Sequence, residues 1–145
     1  MQKNSLKRSN WKTKYETIGS SSSLHEKIKE IFCSDPFFKN LSCYQEVPVA
    51  ALVPSYKKTN HHVDWYIDEL GVVLELHGQQ HYKIVNFGNK AYDDAVKDFH
   101  NIKYRDNMKK HSLQEEGYEY REISYKDLKK IDGKRLKEII LGDNN

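Results

Sequence analysis

Apolar residues recur along this chain with two periods, and the change of period marks out its elements. From Ser23 onward, Leu24, Ile28, Ile31 and Phe32 fall on one helical face, and Glu26 follows Ser23 at capping-box spacing. Asp35-Pro36 ends that helix, because a residue before proline is pushed toward extended backbone. Residues 43–54 alternate enough to predict a strand, with Pro48 and Pro54 pointing to a sheet edge. Lys57, Lys58, Thr59 and Asn60 form a polar turn. His62–Ile67 and Val72–His77 are strong β segments, and the spacer Asp68-Glu69-Leu70-Gly71 makes them a hairpin. A loop follows over 78–90, then a long helix over 91–116 that stops at Gly117. Tyr118–Ser124 is a further strand, followed by a short polar helix and a last helix around Arg135–Leu141. There is no internal repeat. The order predicts an α/β fold, a mixed β-sheet flanked by helices.

Composition narrows the class. The 145 residues suit one domain, and 37% hydrophobic against 31% charged residues leaves a thin core to which ten Tyr and two Trp contribute heavily. Cys33 and Cys43 are too few for a disulfide framework and form no CxxC pair; both read as buried or half-buried thiols. No apolar run approaches the ~18–20 residues of a membrane span, and no apolar signal core opens the chain, so a cytoplasmic protein without a membrane partner is expected. The net charge of +3 says less than its distribution. Residues 1–22 carry Lys3, Lys7, Arg8, Lys12 and Lys14 against Glu16 alone and end in a Gly/Ser cluster. They read as a flexible basic arm, either phosphate-neutralising or merely solubilising, ahead of a single domain over 23–145.

The candidate chemistry lies in residues 61–83, HHVDWYIDELGVVLELHGQQHYK. Alternation places His62, Asp64 and Tyr66 on one face of the first strand, and Val73, Glu75 and His77 on one face of the second. Asp64 and Glu75 are ionisable groups inside otherwise apolar segments, which is costly unless a charge or a metal compensates them. Two acids and a histidine on paired strands make a compact site for a hard divalent cation. His77 and His81 have the spacing of a helical zinc pair, but Gly78 follows the β run directly and a strand end entering a loop fits better. On the long helix, Arg105-Asp106 is either a solvated pair or the source of a carboxylate that orients a histidine for general-base work. Lys97, Lys103, Arg105, Lys109 and Lys110 make the surroundings basic. A zinc site on His61, His62, His77 and His81 is a weaker alternative, because adjacent strand residues do not face one ion and no thiolate accompanies them.

The run from Asp64 to Glu75-Leu76-His77 resembles the Asp–Glu-x-Lys signature of the PD-(D/E)XK restriction-type nucleases, with His77 where Lys usually stands. The ordered set of Glu26, Asp64, His77-Gly78, His81, Arg105-Asp106 and Leu113-Gln114-Glu115-Glu116-Gly117-Tyr118 is similar to one branch of them. That branch holds the very-short-patch repair endonucleases and the phage homing endonucleases with a Glu, Asp, His, Asp motif. The resemblance spans roughly residues 23–124.

It implies a restriction-endonuclease-like core and a metal-dependent endonuclease acting on double-stranded DNA, as a monomer or homodimer in a bacterial or phage-infected cell. Asp64 and the backbone carbonyl of Leu76 would hold Mg²⁺, with Mn²⁺ as a substitute. His81 would deprotonate the attacking water, Asp106 would orient it, and His77 would stabilise the transition state or assist the leaving group. Glu26 would hold metal-bound waters, unless it serves only as a capping residue, and Glu75 would touch the metal through water. Gln79, Gln80, Lys83, Lys103 and Arg105 would contact DNA. Three departures point from mismatch repair toward a homing-type, site-directed enzyme. The histidines stand four apart rather than five, Gln79 and Gln80 replace an aromatic wedge, and no Cys after Cys43 is available for a structural zinc. A nuclease-like fold that binds nucleic acid without cutting it is the alternative, opened by His77 in place of Lys.

Overall fold

A computed structural model describes residues 23–85 and 91–142. The basic arm over 1–22, the Ser23 side chain of the expected capping box, and loop residues 86–90 lie outside the described residues. The elements are α1 (Ser23–Ser34), β1 (Cys43–Pro48), α2 (Val49–Leu52), β2 (His62–Ile67), β3 (Val72–His77), α3 (Tyr92–Glu115), β4 (Glu119–Ser124), α4 (Tyr125–Leu128) and α5 (Gly133–Leu141). A single 3₁₀ turn, Gln79–His81, follows β3.

The four strands form one sheet in the order β1-β2-β3-β4. β1 and β3 pair antiparallel with β2, and β4 runs parallel to β3. A parallel neighbour needs a crossover, and α3 supplies it. Gly117 ends α3 in the left-handed region (φ 103°), where a side chain would be strained, while the Tyr118 amide donates back to the Leu113 carbonyl. The fold is therefore mixed α/β with helices on both faces. Ile28 and Phe32 of α1 and Leu136, Ile139 and Ile140 of α5 pack on Trp65, Ile67, Leu74 and Ile123. Val49 and Leu52 of α2 and Leu113 of α3 pack on Tyr66, Val73 and Tyr120.

Three expectations change. The strand expected over 43–54 stops at Pro48, and Val49–Leu52 turns helical, closed by the Val53 amide on the Val49 carbonyl at 2.7 Å. Proline is tolerated at a helix start, and the Ala-Ala-Leu that follows favours helix over strand. The remainder, β1, does lie at the sheet edge. Cys33 is exposed rather than half-buried, while Cys43 is buried. Strict alternation also fails in β2: Val63 packs in the same core as Tyr66, whereas Trp65 and Ile67 pack in the other. The break falls at Asp64.

Candidate active site

The sheet is interrupted around Asp64. β2 and β3 pair from Ile67–Val72 to Trp65–Leu74 and no further. β1 and β2 pair on either side of Glu46 and Asp64 but not at those two residues. Glu46 itself lies in the left-handed region (φ 59°), a conformation costly for any residue with a Cβ. The Asp64 side chain fills the gap: its Oδ2 accepts the Leu76 amide at 2.7 Å. A strand residue's N–H and C=O point to the same edge, so the Leu76 carbonyl faces the same gap.

A cleft of about 390 Å³ opens there, lined among others by His25, Glu46, Asp64, Glu75, Leu76 and His81. Burial raises the Asp64 carboxyl above the usual range, against the pull of the Leu76 amide. Burial, and then the neighbouring Asp64 charge, push Glu75 up to about 8, against the attraction of Lys109. Lys109 is itself buried, with Nζ 2.6 Å from Glu75 Oε2 and 2.9 Å from the His62 carbonyl. His25 Nε2 stands 3.8 Å from Asp64 Oδ1, and burial holds its pKa below the usual value. Two carboxylates facing one ammonium leave a negative charge to be balanced by a proton or a cation. Oxygen donors with that residual charge fit a hard divalent ion held at Asp64, with the Leu76 carbonyl as the second protein oxygen at the gap.

The second part of the site is built where β3 ends. His77 is the last strand residue and His81 closes the 3₁₀ turn, so a four-residue step folds back and stacks the two imidazoles. Their centroids lie 3.9 Å apart with planes 4° from parallel. Asp106 reaches up from α3, its Oδ2 2.7 Å from His81 Nδ1. An ionised carboxylate only accepts, so Nδ1 carries the proton and Nε2 is the nitrogen left to take another. Burial raises the Asp106 carboxyl, but the hydrogen bond and charge of His81 outweigh it and the group sits below the usual range. His77 is buried and its pKa falls to about 4, first through burial and then through His81. Lys103 Nζ donates to the His81 carbonyl at 3.1 Å and ties the turn to α3.

His77, His81 and Asp106 offer ligand atoms within 4.8 Å of one another. Parallel rings direct their in-plane lone pairs side by side rather than at one point, and His81 Nδ1 is engaged by Asp106. As it stands the trio suits proton handling better than shared ligation. The four histidines of the zinc alternative do not gather: His61 Nδ1 meets the Tyr56 hydroxyl at 2.7 Å, and His62 Nδ1 meets the Asn60 carbonyl at 3.2 Å.

Of the residues singled out in the sequence, Asp64, Glu75, Leu76, His81, Gln80 and Arg105 line the cleft, as do Lys109 and, from the zinc alternative, His61 and His62. Asp106 is joined to it through His81, and His77 stands behind His81. Glu26 is half-buried, and the residue of α1 that lines the cleft is His25. Gln79, Lys83 and Lys103 are exposed. Lys83, with Gln80 and Arg105, borders a neighbouring cavity of about 350 Å³. Sequence reasoning missed His25 and Glu46, and it named Lys109 only as one of the basic residues of the helix. His25 had a signal, since His25, Ile28 and Phe32 share the i, i+3, i+7 face that enters the core. Lys109 had one too: Asp106, Lys109 and Leu113 form the inward stripe of α3, with two charges where apolar residues belong. Glu46 had none, because its placement depends on a backbone conformation that its residue type does not announce.

Neither a protein-family model nor a curated protein matches the chain.

Proposed function

We propose that this chain is a divalent-metal-dependent endonuclease that hydrolyses phosphodiester bonds in double-stranded DNA, in a site-directed manner of the homing type. The observation that carries the reading is the convergence of two functions on one cleft. Asp64 offers a carboxylate at a break in the sheet, and His81 offers an imidazole oriented by Asp106.

In this reading Asp64 and the Leu76 carbonyl hold Mg²⁺, and Mn²⁺ substitutes for it. The bound ion would polarise the scissile phosphate and neutralise its developing charge. His81 Nε2 takes the proton of the attacking water, and Asp106 stabilises the imidazolium that results. His77, kept neutral by burial, backs the His81 ring and fixes its plane. Arg105 and Gln80, at the rim shared with the neighbouring cavity, contact the DNA backbone and base edges, and exposed Lys83 and Lys103 add phosphate contacts.

A supercoiled-plasmid assay tests this. The full chain with Mg²⁺ is expected to nick or linearise the plasmid, and EDTA or Asp64→Ala to stop it. DNA binding without cleavage would favour the inactive binding module. Cleavage that survives both EDTA and Asp64→Ala would contradict the reading.

A further inference from the structure

Lys109 is the one buried cation among the described residues, and the sheet break explains its position. The His61 carbonyl accepts the Val49 amide from the β1 side. Carbonyls alternate along a strand, so the next one, of His62, points to the opposite edge, where β3 has already parted from β2. The Lys109 ammonium enters that gap, donating to the His62 carbonyl at 2.9 Å and forming an ion pair with Glu75, whose Oε2 lies 2.6 Å from Nζ. One helical turn earlier on α3, Asp106 holds His81. A single face of α3 therefore delivers a cation to one acid of the cleft and an anion to its histidine.

We infer that Lys109 is a positioning residue that fills the place of a second divalent cation, so that the cleft takes one metal ion, at Asp64. This deepens the nuclease reading and rests on its assignment of Asp64 to a metal. Two-ion sites place their ions about 3.5–4 Å apart with carboxylates between them. Here Glu75, a buried carboxylate that lines the cleft with Asp64, already has an ammonium in contact with it. A second divalent ion on Glu75 would have to share the carboxylate with that positive charge in a buried setting, or expel it. Among the described residues Asp64 has no ammonium in such contact: its Oδ2 takes the Leu76 amide at 2.7 Å, and His25 Nε2 stands 3.8 Å from its Oδ1.

The test counts Mn²⁺ bound to the full chain, by calorimetry and by the electron paramagnetic resonance signal of free Mn²⁺, with circular dichroism melts as a check on folding. The native chain is expected to bind a single Mn²⁺, and Asp64→Asn to lose it. Lys109→Arg, which keeps the cation, is expected to bind one ion, and Lys109→Met two. Glu75→Gln supplies an arm that does not depend on Lys109→Met folding: the chain should still bind one Mn²⁺, because Glu75 does not ligate it, with an affinity weakened by the lost charge. Two ions on the native chain, an unchanged single ion on folded Lys109→Met, or no ion on folded Glu75→Gln would overturn the inference. The count does not depend on cleavage. The predicted stoichiometries in a chain that never cuts DNA would sink the nuclease reading and leave the inference standing, whereas a native chain that binds no Mn²⁺ would remove both.

Discussion

His77 and His81 stack face to face, 3.9 Å between ring centroids and 4° between planes. The stack joins the last residue of β3 to the end of the following turn, and it favours rings that do not both carry charge. The groups facing His77 are His81, Glu122 (Oε1 at 3.9 Å from Nδ1), Asp106, Lys103 and Lys109. Burial dominates them and lowers its pKa to about 4.

A pH-dependent stability follows. The unfolded chain protonates His77 near its ordinary value of 6.5, whereas the folded chain refuses the proton until about 4. Between these values the unfolded state binds more protons, so the His77 contribution to stability falls as pH falls, by up to roughly 1.4 kcal/mol per pH unit. Glu75, raised to about 8, works in the opposite sense, so the comparison must isolate His77. Urea denaturation at pH 7.5 and pH 5 should show His77→Phe gaining stability relative to the native chain at the lower pH. An unchanged difference between the two pH values would contradict this origin of the shift.

Asp106→Asn tests the orientation of His81. An amide can donate to Nδ1, which moves the ring proton to Nε2 and removes the base. Cleavage is expected to slow by about 10²–10⁴-fold, with DNA affinity little changed, because Asp106 is buried and does not reach the cleft surface. Single-turnover rates and a binding titration separate the two effects. Equal losses in both would assign Asp106 a purely structural role.

Glu46 carries a backbone cost that a substitution can expose. At φ 59° the left-handed region costs a residue with a Cβ about 1–2 kcal/mol, and β-branched side chains suffer most. Glu46→Asn should therefore retain or slightly raise stability, and Glu46→Val should lower it by more than about 1 kcal/mol. Chemical denaturation measures both. A Val variant as stable as the Asn variant would contradict strain at this position.

The two cysteines should separate cleanly. Burial pushes the Cys43 thiol up to about 12, so it offers almost no thiolate at neutral pH, while Cys33 is exposed on α1. A disulfide-exchange reagent is expected to modify Cys33 in the native chain and Cys43 only after denaturant is added. Rapid modification of both thiols under native conditions would contradict the burial of Cys43.

Much of the fold was legible because local chemistry and tertiary packing agree. His62–Ile67 and Val72–His77 are dense in β-branched and aromatic residues, the spacer between them ends in glycine, and the strands begin and end where that composition does. Gly117 marks the end of α3 for the same reason. The 43–54 segment misled because an apolar run reads alike in either period, and only Pro48 and the two alanines tip it to helix. In the site, Asp64 and Glu75 stood out as acids in apolar strands. The Asp106–His81 contact spans 25 residues and depends on how α3 crosses the sheet, so spacing left it as one of two options. Lys109 is one of five basic residues around Asp106 in the sequence, and charge alone does not separate it from them; its inward position follows from sharing a helical face with Asp106 and Leu113.

In the proposed mechanism His81, held by Asp106, is the base of a metal-dependent DNA cleavage site. The most direct test is the conversion of supercoiled plasmid to nicked or linear product in Mg²⁺, by the native chain and by His81→Ala of equal thermal stability. Product is expected from the native chain, with a loss of at least about 10²-fold in the variant. Equal conversion by the two proteins, or none by the native chain at any Mg²⁺ or Mn²⁺ concentration, would contradict the mechanism.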